Sequence, residues 1–416
     1  MKLVIVDGSI DESRGHHLGY AAKLSRAAVE RGLEVAVGIN RRAPESVDPV
    51  FPGARTLRCM THGFWDNSSI SGGTVLHAAS CGRLPWAVDS RLTQAFQDDL
   101  ITVMRSSKVS DGDLVLVPTA GPCEIECILE LASKAELPRV VYAPLIRRPT
   151  TVSAGLAGCR GLIDSLRYRG VLAQWRASRW RSSVVPLTDS DWLAASMKAA
   201  HGVAVRVVPV PSDFTVRETN ITRAASVLTV TFLGDGRHER GLFMIPEIIT
   251  CCEGRLPRSP SVRFRIQVND SPTKWPLSRD GPITKPRVPR IEIIQGPISD
   301  EAYRREVLAA DVLLLPYDPI RYRARTSQVL VDGLAAGVPA VVPARTWMAD
   351  RSGAVSIFER WNSASVSDAI ITVINDYERY RATAACVAER FRVPTSPDTV
   401  LSELLEATQA LSGGFS

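Results

Sequence analysis

Two short stretches of this 416-residue chain gather the side chains that an anionic ligand needs. The first, FLGDGRHERGLF over residues 232–243, sets Arg237 and Arg240 among Gly234, Gly236 and Gly241. Guanidinium forks pair with phosphate oxygens, and glycines let a backbone turn sharply beside a ligand. These glycines do not fit G-x-G-x-x-G, and no Walker lysine follows. Taken alone, the stretch reads equally well as a solvated charged turn. The second stretch, residues 311–343, holds Asp318, Arg321, Arg323 and Arg325, then Thr326 and Ser327, then Asp332. Its order is strand (DVLLLPY), polar loop, a helix opening at the cap residues Thr326 and Ser327, and a Gly337–Pro339 stop. Cations and hydroxyls at a strand's carboxyl end and a helix's amino end are where open α/β sheets bind anions.

Other candidates lie in the first half. Asp7-Gly8 ends an initial strand, and a loop with Ser13, Arg14, Gly15, His16 and His17 opens the next helix. Either histidine could bond an acceptor hydroxyl or a donor phosphate, or merely cap the helix. Arg147-Arg148 follow RVVYAP at another strand end, suited to an anionic acceptor or a diphosphate. Glu124 and Glu126 start a helix, where the dipole alone favours carboxylates. Asp189-Ser190-Asp191 resembles a metal-binding triplet, but between a strand and WLAASMKAA these residues read as caps, so no metal is expected. Residues 160–181 interleave six arginines with Leu and Trp. The favoured reading is an amphipathic helix, interrupted at Gly170, packing on the sheet. The rival is contact with an anionic membrane.

The elements that must position these residues alternate strand and helix throughout. That implies parallel sheets with helices on both faces, every strand's carboxyl end on one edge. The length suggests two domains. The polar stretch Pro209–Arg223 suggests a break giving residues 1–212 and 213–395, with a last helix, 396–416, packing back toward the first domain. Two such halves would face each other across a deep cleft. Composition is that of a globular protein: 45% hydrophobic, 23% charged, net +6. The mild charge fits anionic ligands and argues against nucleic acid. No apolar run reaches transmembrane length, Asp7 spoils a signal peptide, and eight scattered cysteines lack zinc spacing, so a cytoplasmic location is expected.

The two basic stretches resemble those of retaining glycosyltransferases of family 4. There a Gly-Arg-x4-Lys-Gly loop precedes a Glu-x7-Glu motif ending Glu-Ala-x-Ala-x-Gly-x-Pro-Val-Val. Here the first is Gly234-Asp235-x4-Arg240-Gly241, and the second ends Asp332-Gly-Leu-Ala-Ala-Gly-Val-Pro339-Ala-Val-Val. Asp332 replaces the family's second Glu, and Ala324 stands where the first would be. The resemblance implies the GT-B architecture, two Rossmann-like domains across a cleft. It also implies a nucleotide-diphosphate sugar as donor and a glycan or lipid-linked acceptor, with no cofactor or metal. Arg237 and Arg240 would stabilise the leaving diphosphate with His16 as a further catalytic residue. Gly234, Gly236, Asp318, Arg325, Thr326, Ser327 and Asp332 would bind the donor, with Asp332 on the ribose. Gly15, His17 and Arg147 would face the acceptor. Alternatives are a non-catalytic nucleotide- or glycan-binding relative, which the loss at Ala324 would fit, and a nucleotide-sugar epimerase.

Overall fold

A computed structural model describes residues 1–10, 16–47, 50–51, 54–57, 85–148, 159–178, 182–215, 227–257, 260–269, 290–351 and 353–412. The chain forms two compact units, Met1–Pro211 with Pro397–Ser416, and Ser212–Ser396.

The first unit is built on β1 (Lys2–Asp7), β2 (Glu34–Asn40), β3 (Arg55–Leu57), β4 (Leu114–Val117), β5 (Val141–Ile146), β6 (Leu187–Thr188) and β7 (Arg206–Val207). All pair in parallel, in the order β3-β2-β1-β4-β5-β6-β7. Near-continuous apolar runs such as LVIV in β1 and LVLV in β4 are what strands covered on both faces require. The crossovers include α1 (His16–Glu30), α2 (Pro85–Ser106), α3 (Pro122–Ala132), α4 (Cys159–Ala177) and α5 (Asp191–His201). The helix expected to break at Gly170 runs through it as α4. Tyr168, Val171 and Leu172 are buried, and Trp175 Nε1 donates to Val184 O at 2.8 Å. A single exposed glycine costs a helix only ~1 kcal/mol, and this anchorage outweighs it.

The second unit has β8 (Val227–Phe232), β9 (Ser261–Val268), β10 (Arg290–Gln295), β11 (Val312–Leu314), β12 (Ala340–Pro343) and β13 (Val355–Phe358). They are parallel, in the order β10-β9-β8-β11-β12-β13. Its helices are α6 (Ile245–Cys252), α7 (Asp300–Ala309), α8 (Gln328–Ala335), α9 (Ser363–Asn375) and α10 (Tyr377–Thr395). Helices α9 and α10 are parted at Asp376, whose backbone leaves the helical region. The chain then returns to the first unit as α11 (Pro397–Ser412). Val400, Leu401, Leu404 and Ala407 of α11 join the core that holds Leu3, Ile5, Leu24 and Ala28. Arg31, just past α1, bonds Asp398 and Ser402. Among the described residues, no helix is long and apolar enough to cross a membrane.

In each sheet the chain builds outward one way, then restarts on the other side of its first strand. That places a switch point between β1 and β4, and another between β8 and β11. Loops diverge there and leave a crevice at the strands' carboxyl ends. Both basic stretches leave the second switch point, one after β8 and one after β11.

Candidate functional site

The loop after β8 is shaped around Arg240. Gly234 has φ +111°, and its amide donates to Gln267 Oε1 at 2.8 Å. A Cβ at Gly234 would lie 2.0 Å from Arg240 Nη1, so glycine here makes room for the guanidinium. A 3₁₀ turn, His238–Arg240, ends at Gly241, with φ +75°. A Cβ at Gly241 would meet Pro316 O at 2.2 Å. This close approach joins the β8 loop to the β11 loop, and Asp318 N donates to Glu239 O at 2.9 Å beside it. Gly236 is exposed between these turns.

Arg240 meets Tyr322 Oη at 3.4 Å and lies over the Tyr317 ring, 5.7 Å from its centroid. Burial opposes its charge, but Tyr317, Tyr322 and Asp235 more than compensate, and the guanidinium stays charged. Asp235 spans both arginines: Oδ1 lies 3.0 Å from Arg240 Nη1, and Oδ2 lies 2.6 Å from Arg237 Nε. Asp235 Oδ1 has no partner in hydrogen-bond geometry, so its hold on Arg240 is electrostatic, not directional. A carboxylate thus sits between two guanidinium groups at a sheet's switch point.

The β11 loop supplies the other wall. Ser327 caps α8, its Oγ accepting from Leu330 N at 3.3 Å. Tyr317, which Ser327 hydrogen-bonds, links this helix start to Arg240. Thr326 precedes the cap. Asp318 shapes the loop, accepting from Ile320 N at 2.8 Å and lying 3.8 Å from Arg321 Nε. Arg325 stacks on Tyr322, 4.9 Å from its centroid. Asp332 faces inward: Oδ1 accepts from Ser212 Oγ at 2.7 Å and Gln328 Nε2 at 2.9 Å, and Oδ2 from Tyr303 Oη at 3.0 Å. These bonds bring Asp332 together with residues that the sequence reading did not include. Beside the cradle, His238 stacks on exposed Phe243 at 4.3 Å, with Trp361 edge-on to both.

This chain shares its fold with sugar transferases. A sucrose-phosphate synthase from Thermosynechococcus elongatus matches with TM-score 0.65 and 11% identity, over 100% of both chains. HepE from Anabaena, solved in complex with UDP-glucose, matches at 0.60 and 11%, over 99% of this chain and 100% of that one. A glycosyltransferase from Rickettsia africae matches at 0.58 and 8%, over 99% and 98%. These relatives have the GT-B fold of two parallel-sheet α/β domains, and this chain has it too. No family model matches the sequence, and no curated protein does.

In the first unit, the carboxyl ends of β1, β5 and β6 carry a second charged cluster. Asp7, at the end of β1, accepts from Ser9 N at 3.0 Å and pairs with His17 Nδ1 at 2.9 Å. Burial works to raise the Asp7 pKa, but His17, Ser9 N and Arg147 outweigh it and hold it below its usual value. Arg147, just past β5, lies 3.3 Å from Asp189 Oδ2 and 4.3 Å from the Tyr20 ring centroid. Burial pushes Tyr20 up to about 12. The cluster thus brings together Arg147 and His17 with Asp7, Tyr20 and Asp189. Of the Asp189-Ser190-Asp191 triplet, Ser190 caps α5, while Asp189 faces Arg147. His16 begins α1, but its side chain, like Gly15, lies outside the described residues. Glu124 caps the start of α3, accepting from Gly121 N at 2.9 Å. Burial raises its pKa to about 7, against the pull of that amide and of Arg167 and Arg148. Among the described residues, no group of three or more His, Cys, Asp or Glu is placed to hold a metal ion.

Proposed function

We propose that this protein is a glycosyltransferase. It moves a sugar from a nucleotide-diphosphate sugar to a glycan or lipid-linked acceptor in surface polysaccharide synthesis. The observation that carries this reading is the Arg237–Asp235–Arg240 arrangement at the β8–β11 switch point, beside the capped start of α8. A diphosphate would take the place of the Asp235 carboxylate between the guanidinium groups. Charge grows on the leaving nucleoside diphosphate as the glycosidic bond breaks, so fixed cations lower the barrier as well as bind. Ser327 and the first amides of α8 add donors on the other wall. The solved relatives include one holding UDP-glucose, which supports a donor of that class.

The cluster around Asp7, His17, Tyr20 and Arg147 is the proposed acceptor side. Its charges are largely balanced within the protein, and its imidazole and phenol suit hydroxyl groups. We place the protein in the cytoplasm, reaching its acceptor at the inner membrane face. A non-catalytic relative remains the second reading, favoured by Ala324 in place of the motif's first glutamate.

The test is a panel of UDP-, GDP- and ADP-sugars, followed by melting temperature and by release of nucleoside diphosphate. The proposal expects one donor to raise the melting temperature and to be turned over, and Arg240→Ala to abolish turnover. Stabilisation by a nucleotide without turnover for any acceptor would favour the binding-protein reading. No effect from any nucleotide would end both.

A further inference from the structure

The chain passes between the two units twice, at Pro211–Ser212 and at Ser396–Pro397. Both crossings are bound to each other within the second unit, because Ser212 N donates to Thr395 O at 2.7 Å. The Ser212 side chain reaches Asp332 Oδ1 at 2.7 Å, 120 residues away in sequence. Asp332, Ser212 and Thr395 are all buried. The next residues are fastened too. Phe214 N donates to Ser212 Oγ at 3.4 Å, and the Phe214 ring packs edge-on to Tyr303 at 6.2 Å. Arg304 lies over Phe214 and bonds Asp213 O at 3.1 Å. Tyr303 closes the circle on Asp332 Oδ2. Burial and the neighbouring carboxylate push the Tyr303 pKa well up, so its hydroxyl keeps the proton it donates.

We infer that Asp332 is a positioning residue that fastens both inter-unit crossings to α8, and that it does not read the ribose of a bound nucleotide. A buried carboxylate accepting from two side chains and a phenol uses its charge to order them. Its place on α8, one turn beyond the capped start, links the proposed nucleotide end of that helix to the chain leaving the unit. The inference rests on the functional reading above only for the ribose half.

The anchoring half is read by hydrogen–deuterium exchange of the full-length protein. The Ser212 amide and the segment around Thr395 should be protected in the wild type. They should exchange at least about tenfold faster in Asp332→Asn and in Ser212→Ala. Unchanged exchange in Ser212→Ala would overturn the anchoring, even if Asp332→Asn failed to fold. The ribose half is read by a double-mutant cycle. UDP and its 2′,3′-dideoxy analogue, or whichever nucleotide binds, are titrated into the wild type and Asp332→Asn. A coupling factor within about twofold of unity is expected, and one above about tenfold would make Asp332 a ribose ligand. In turnover, Ser212→Ala should lower kcat and leave the donor KM unchanged. Equal loss of both, or a rise in KM alone, would contradict positioning. Should the wild type bind no nucleotide, the functional reading falls, and the exchange rates alone decide the anchoring.

Discussion

At the exit of β8, the two oxygens of Asp235 occupy the space between Arg237 and Arg240 that an anionic ligand would need. The carboxylate is partly exposed and off the hydrogen-bond line to Arg240, so it screens the arginines without saturating them. Asp235→Asn should therefore tighten nucleoside-diphosphate binding by roughly three- to tenfold, and steepen its salt dependence. Titration at two ionic strengths checks both, and weaker binding would mean that Asp235 orders the loop instead of competing for it. At this scale the sequence was only partly legible. Arg240 could be found because Gly241 and the strand before it frame the position. Tyr317 read as the last residue of a strand and Tyr322 as loop. Nothing local to either shows that their rings close on one guanidinium. The partners of Asp332 were hidden for the same reason, since Ser212 and Tyr303 lie 120 and 29 residues away.

Single elements were easier to read, because periodicity and cap chemistry are local. Helix α1 begins at His16, and Ser327 caps α8 as the sequence suggested. Gly170 does not break α4 because its helix-breaking propensity is small beside the burial of Leu172 and the Trp175–Val184 hydrogen bond. The turn joining the β8 and β11 loops gives a direct test. Gly241→Ala forces a Cβ to within 2.2 Å of Pro316 O in a left-handed conformation. It should cost at least about 2 kcal/mol and weaken nucleotide binding with it, both measurable on one sample by denaturant titration and calorimetry. Helix α3 offers a pH signature. Glu124 has a folded pKa of about 7 against an ordinary 4.5. Below the ordinary value both states are protonated and its contribution is complete. As pH rises toward 7 the unfolded chain ionises first, so stability falls, by at most ~3 kcal/mol. Glu124→Gln should flatten that decline between pH 4.5 and 7. An unchanged profile would show that Glu124 titrates normally.

For the molecule as a whole, alternating strands and helices made the two parallel-sheet domains legible from sequence, and the solved relatives share that fold. The path of α11 depends on four apolar side chains meeting a core whose members include Leu3, Ile5, Leu24 and Ala28, near the other end of the chain. Removing residues 397–416 should take several kcal/mol from the first unit, at ~1.5–3 kcal/mol for each large apolar side chain lost. Exchange in the β1 and α1 region should rise while β8–β13 stay protected, and uniform loss in both units would show that they unfold as one. Donor binding in the second unit turns on whether a nucleoside diphosphate binds at Arg240. Calorimetric titration of UDP, GDP and ADP into the wild type and Arg240→Ala measures this. One of the three should bind the wild type, and the variant should lose roughly 10- to 100-fold in affinity, the worth of one or two charge-assisted hydrogen bonds. Equal affinity in the variant, or no heat from any of the three with the wild type, would contradict it.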